Sequence, residues 1–245
     1  MIRRGRKTIS EAVFSDKHEF VVLAKTWQPD AIAVLLNLLW KGYDLYQSDV
    51  LSKIDLSQAD DQLERDITQS LSIHIQMASS GDEPFMIRTE WFEMEGREPS
   101  PARPKQYDLA FVWSNPPNVR IIFPIEAKVL RSDKAVSEYV KEITGNYVSY
   151  RYAPFSSEGG MIGYLLKGTP KTAFVNIATL VPCTLLDHPD FPSRDHKISD
   201  HQRNVPVDKT YPVKFRCHHL LLQLTQQKNV KQSTEKRKSS KKIDK

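Results

Sequence analysis

The stretch from Arg120 to Val129 sets Ile121, Phe123, Ile125 and Ala127 on one face of a strand and Ile122, Pro124, Glu126 and Lys128 on the other, because side chains alternate along extended backbone. An apolar strand that ends in Glu-Ala-Lys must give its two charges a partner or a task, since unpaired charge is costly away from water. Glu126 and Lys128 share a face at a spacing of about 7 Å, two residues of rise. A metal-binding carboxylate and an ammonium group can therefore converge on one phosphate.

Upstream, Asp108 interrupts the apolar run Tyr-Asp-Leu-Ala-Phe-Val-Trp. The segments Gln106 to Trp113 and Arg120 to Val129 read as two strands, and the Ser-Asn-Pro-Pro-Asn between them is turn chemistry. Antiparallel pairing brings Asp108 to the sheet end where Glu126 and Lys128 lie. Two carboxylates suit a hard divalent cation such as Mg²⁺, which takes one or two protein carboxylates together with water and phosphate. In that setting Lys128 orients or helps to deprotonate a water and neutralises phosphate charge. The competing reading makes Glu126 and Lys128 a solvated strand edge with Asp108 as a salt-bridge partner, worth little at a surface.

Around these strands, Ile32, Leu35, Leu36, Leu39 and Trp40 recur at helical steps, so a helix is expected from Pro29 to about Tyr46. A second runs from about Ser57, with Ser57 and Asp60 as candidate caps, to Met77, with Leu63, Ile67, Leu71 and Ile75 as one stripe and Glu64 beside it. Pro84 to Phe92 alternates as a strand, and Glu95 to Lys105 is a Pro-rich loop. Asp133 to about Arg151 has helical spacing weakened by Gly145, and Gly159 to Leu166 reads as a buried strand. Thr172 to Leu180 fits helix or strand, Pro182 to Asp208 is expected to be a long polar loop, and Tyr211 to Leu224 closes the fold as a strand. The expected class is α/β (α+β), a mixed central sheet flanked by helices. Its expected divisions are a helical extension over 1–56, one domain over 57–227 and a basic tail over 228–245.

Asp108, 17 intervening residues and Glu126-Ala127-Lys128, with the element order α-β-β-β-α-β, together resemble the PD-(D/E)XK nuclease superfamily and its restriction-endonuclease-like core over about Ser57 to Leu166. Tyr107 stands where a proline would precede the aspartate. The resemblance implies Mg²⁺-dependent cleavage of DNA, with Mn²⁺ as a substitute. It implies Asp108, Glu126, the Ala127 carbonyl and Glu64 as the metal shell, and Asp108, Glu126, Lys128 and Glu64 as the catalytic set. By analogy with the family's usual employment, defence against foreign DNA is the expected setting, with specificity left to a homo-oligomer or a partner defence protein. The aromatic and basic tract holding Tyr147, Tyr150 and Arg151, and a loop with Lys197, His201 and Arg203, are candidates for nucleic-acid contact. A noncatalytic nucleic-acid- or protein-binding subunit retaining the fold is the alternative, and a hydrolase of another phosphate ester is a third reading.

Composition narrows the field. The tail from Lys228 carries eight basic residues against Glu235 and Asp244, a net of +6 that exceeds the chain's +5 and leaves the first 227 residues at −1. Bulk charge therefore says nothing of the body, although such a tail can raise nonspecific affinity for nucleic acid. Two cysteines are too few for a disulfide framework, and nothing before them resembles a secretory signal, so a cytoplasmic protein without membrane insertion is expected. His188, His196, His201, His218 and His219 invite a zinc site, but their spacing matches no metal motif. Neither a Walker-type loop nor a Gly-x-Ser-x-Gly elbow occurs, which leaves NTPase and serine-hydrolase readings without support.

Overall fold

A computed structural model describes residues 29–50, 53–93, 105–114, 117–207 and 209–224. The basic segments at 1–7 and 228–245 and most of the Pro-rich loop lie outside the described residues.

Two long helices come first. Helix α1 (Pro29–Asp49) opens on a proline, whose missing N–H costs nothing at a helix start. It buries Leu35, Leu36, Leu39, Trp40 and Tyr46. Helix α2 (Asp60–Ala78) buries Leu63, Ile67, Leu71 and Ile75 at four-residue steps. It starts later than the sequence suggests because Ser57 is folded back onto Asp55 Oδ1, through its N–H at 2.9 Å and its hydroxyl at 2.6 Å. Asp60 and Asp61 occupy the first turn, where negative charge faces the positive end of the helix dipole. The two helices touch at Gly42: a Cβ there would sit 2.5 Å from Ile75 Cγ1 and 2.7 Å from the Ile75 backbone, so only hydrogen fits.

The chain then builds β1 (Phe85–Phe92), β2 (Gln106–Ser114) and β3 (Pro117–Leu130), followed by the short α3 (Ser137–Glu142), a π-helical turn (Ile143–Tyr147) and β4 (Glu158–Leu165). Next come α4 (Pro170–Leu180), β5 (Leu186–Asp187), β6 (His196–Gln202) and β7 (Lys214–Gln223). These make a mixed α/β fold with four α-helices and one open seven-stranded sheet among the described residues, in the order β1-β2-β3-β4-β7-β6-β5. The centre is parallel, β3 with β4 and β4 with β7, and both wings are antiparallel. The parallel pair β3–β4 needs a crossover, which α3 and the π turn supply.

Alternation on β3 divides the interior as expected. Phe123, Ile125 and Ala127 join α1 and α2 in one core, whereas Ile122 and Leu130 join α3, the π turn and α4 in another. Thr172 to Leu180 is helical because Thr169 caps it, its hydroxyl accepting from Thr172 N–H at 3.2 Å, and Pro170 fills the first turn. The helix expected over 133–151 is shorter: α3 spans only six residues before the π turn around Gly145.

One expectation fails. The supposed long loop at 182–208 holds β5 and β6, and β6 pairs with β7 along its whole length. Its buried residues are His196, Ile198, Ser199 and His201, and the three polar ones hide the strand from an apolar count. No helix among the described residues is long and apolar enough to cross a membrane.

Candidate active site

The hairpin register pairs Leu109 with Ile125 and Ala110 with Pro124, so the next position sets Asp108 against Glu126. Ala127 N–H donates to Asp108 Oδ2 at 2.8 Å, and the Asp108 and Glu126 carboxyl groups hydrogen-bond to one another. Burial, then the neighbouring Asp108 charge, hold Glu126 well above the usual carboxylate range. Asp108 is raised too, chiefly by burial, against the pull of Lys128 and the Ala127 N–H. Glu126 is 3 % exposed, and its Oε1 has no hydrogen-bond partner. A buried acceptor without a donor is costly, so this oxygen calls for a ligand.

Lys128 and Glu64 complete the group. Lys128 Nζ lies 3.0 Å from Glu64 Oε1, across from β3 to α2. Burial pushes Glu64 up to about 7 despite that ammonium group. For Lys128 burial acts downward, but the charges of Glu64, Asp108 and Glu126 outweigh it and hold the amine above its ordinary value. The lysine therefore keeps its proton at neutral pH, while the three carboxyl groups compete for theirs.

The site opens on a cavity of ≈ 270 Å³ between α2 and the β1–β2 hairpin, lined by Glu64, Arg65, Thr68, Thr89, Glu90 and Asp108 among others. Glu90 escaped the sequence reading as one more polar position on an alternating strand. Flanked by the pairs Thr89 with Leu109 and Trp91 with Tyr107, it sits beside Asp108, raises that carboxyl further and has φ of 52°. Such left-handed backbone is strained for a non-glycine residue and recurs at functional sites. Glu90 is paired with Arg65 at 3.6 Å, both half exposed, a contact of small energy.

The six candidate nucleic-acid contacts do not line this cavity. Tyr147 is fully buried, its hydroxyl donating to Gly160 O at 3.0 Å and its ring stacked on Phe215. Arg203 is 2 % exposed, lies over the rings of Phe215 and Tyr150, and donates to Ala153 O and Ser156 O at 3.1 Å. Burial lowers it to about 10. Tyr150 is buried and donates to Pro212 O, and His201 is buried against Ser199. Arg151 is exposed, and Lys197 pairs with Asp187 beside the Phe174 ring.

The histidines fall into two sets. His201 and His219 flank the Ser199 hydroxyl at 2.8 and 2.7 Å, and His219 continues to the Tyr139 hydroxyl at 3.1 Å. His188, His196 and His218 gather separately, one ring nitrogen of each within 4.8 Å of the others. Burial pushes His188 down to about 4 and His196 to about 2, so both rings are neutral at physiological pH.

Comparison with protein-family models, curated proteins and solved structures finds no match to this chain.

Proposed function

We propose that this chain is a metal-dependent nuclease of the restriction-endonuclease-like kind that hydrolyses DNA phosphodiester bonds, acting in defence against foreign DNA. The observation that carries the reading is the gathering of Asp108, Glu126, Glu64 and Lys128 at one end of the β2–β3 hairpin, with a partnerless carboxylate oxygen buried among them. Three acids against one amine leave the group short of positive charge, and Glu90 adds another acid at the rim. A divalent cation supplies that charge, and an all-oxygen donor set fits Mg²⁺ or Mn²⁺.

In this reading Asp108, Glu126, Glu64 and the Ala127 carbonyl hold the ion, which when bound contributes Lewis acidity and lowers the pKa of a coordinated water. The chain's own residues do the rest. Ala127 N–H fixes the Asp108 carboxylate, and Lys128, held protonated, orients the attacking water and neutralises phosphate charge rather than acting as a base. Glu64, titrating near 7, is placed to take up a proton as the site fills and empties.

The test is plasmid DNA incubated with the full chain and Mg²⁺ or Mn²⁺, beside Asp108→Asn, Glu126→Gln and Lys128→Ala. Cleavage by the wild type, lost in all three with circular dichroism unchanged, is the expected result. Plasmid, linear DNA and RNA all left intact by the wild type would defeat the proposal. The alternative, a noncatalytic nucleic-acid- or protein-binding subunit, draws on the closure of the site, since Lys128 is already paired and Glu126 is buried. On that reading the variants change stability alone.

A further inference from the structure

We propose that His188, His196 and His218 form a second metal site, selective for a transition-metal ion and for Zn²⁺ in the first place, independent of the Asp108 cleft. The sheet register builds it. His196 pairs with Leu220 and Ile198 with His218, so His196 and His218 are diagonal neighbours on one face of β6 and β7. His188 is drawn in by its N–H, which donates to His196 O at 3.1 Å. The three side chains are 7 %, 2 % and 2 % exposed.

Two nitrogens are buried without any partner, His196 Nε2 and His218 Nδ1. Polar atoms so placed are expected to meet a donor, a water or an ion. For His218 the orientation is already that of a ligand. Its Nε2 is 2.8 Å from Glu158 Oε2, which holds the proton on that nitrogen and leaves the Nδ1 lone pair free. A carboxylate behind a histidine is the usual outer partner of a metal-bound imidazole.

The spacing fits as well. Three rings on one tetrahedral ion, with Zn–N of about 2.0–2.1 Å, have centres roughly 5 Å apart. Here the centroids are 4.4, 5.3 and 5.5 Å apart. Imidazoles without a carboxylate select Zn²⁺, Co²⁺, Ni²⁺ or Cu²⁺ over Mg²⁺ and Ca²⁺. Phe191 and Phe123 pack against the rings and limit water, leaving one coordination position for a solvent molecule.

Binding has a defined cost. His188 Nδ1 accepts from Asp190 N–H at 3.2 Å and His196 Nδ1 from the Trp40 indole N–H at 3.3 Å, both at the long end of the hydrogen-bond range. A neutral imidazole has a single lone pair, so ligation through Nε2 moves the proton to Nδ1 and gives up these two contacts. In exchange the ion clamps the segment 188–196 to the sheet, coupling metal occupancy to folding.

The experiment uses the full chain without an affinity tag, stripped with chelator, desalted and offered Zn²⁺ alone, with bound metal counted by mass spectrometry. One zinc per chain and a higher melting temperature are expected, unchanged by Asp108→Asn. His188→Gln, a polar replacement at the least buried of the three positions, should abolish stoichiometric uptake while keeping the native circular dichroism. Glu158→Ala should weaken binding about 10- to 100-fold. Co²⁺ on the wild type gives a readout that needs no variant: visible d–d bands of a four-coordinate site, without the near-ultraviolet band of thiolate ligands. A wild type that takes up neither metal, zinc retained by His188→Gln, or a thiolate band would each overturn the site.

Discussion

The two polar clusters of this fold solve the problem of buried charge in opposite ways. On the β1–β2–β3 wing, carboxyl groups crowd beside a single lysine, strain collects at Glu90, and a cavity gives access from solvent. On the β7–β6–β5 wing, three imidazole rings are enclosed by aromatic neighbours, and the carboxylate that reaches them, Glu158, is hydrogen-bonded to one of the rings. On the proposed reading the first arrangement takes a hard cation and exchanges with water, as a reaction on phosphate demands. On the proposed inference the second takes a transition-metal ion suited to imidazole and shelters it, as a structural clamp demands.

The largest expected effect separates the wings by function. Asp108→Asn should lower DNA cleavage by about 10²- to 10³-fold or more, the scale of losing one preorganised electrostatic group, while zinc uptake stays at the wild-type level. Parallel loss of both would show that the clusters are not separate. Next comes a change that should strike both. Gly42→Ala forces a methyl group into the Ile75 backbone, and overpacking of this kind costs about 1–3 kcal/mol. Urea melts would show it as a lower midpoint, and an unchanged midpoint would mean that the helices part easily.

A third comparison uses pH. Glu64 is raised from its ordinary 4.5 to about 7, so the folded chain holds a proton there that the unfolded chain has released. Stability from this group is therefore full below about 4.5 and is lost as pH rises through about 7. Glu126 and Asp108 act in the same direction. The melting temperature should fall between pH 5 and pH 8, and Mg²⁺ should flatten the slope by replacing the protons, whereas Zn²⁺ at the histidines should not. Glu64→Gln should remove part of the slope, and a slope identical in that variant would reassign the proton. The smallest effect belongs to ion pairs in water. Arg216→Ala breaks a bidentate contact with Asp200, at 2.8 and 3.1 Å, yet the pair is exposed and should cost under about 1 kcal/mol in a chemical melt.

The carboxylate wing was far more legible in sequence than the histidine wing. Asp108 and Glu126 stood out because charge inside apolar strands is conspicuous, and the register of β2 against β3 joins them. Glu64 could be read from its place beside an apolar helical stripe. On the other wing the strand β6 is polar where it is buried, and Asp200 and Gln202 alternate with histidines and serine without any apolar rhythm. The third member of the histidine cluster, His188, arrives from outside the strand. Histidine spacing along the chain carried no signal because the register of β6 against β7, not helical or loop spacing, brings the rings together. Tyr147 and Arg203 misled for a related reason: aromatic and basic side chains looked suited to nucleic acid, but the π turn stacks Tyr147 on Phe215, and Arg203 is held over the rings of Tyr150 and Phe215.

Helix α1 shares its apolar interior with α2, β3 and β4, and Gly42 brings it into direct contact with the helix that carries Glu64. Engineered versions of this chain should therefore keep everything from Pro29 onward, because a start at Ser57 would leave the leucines and isoleucines of α2 wet and invite clumping. A shortened form that failed in a cleavage assay would then report a collapsed scaffold and say nothing about chemistry.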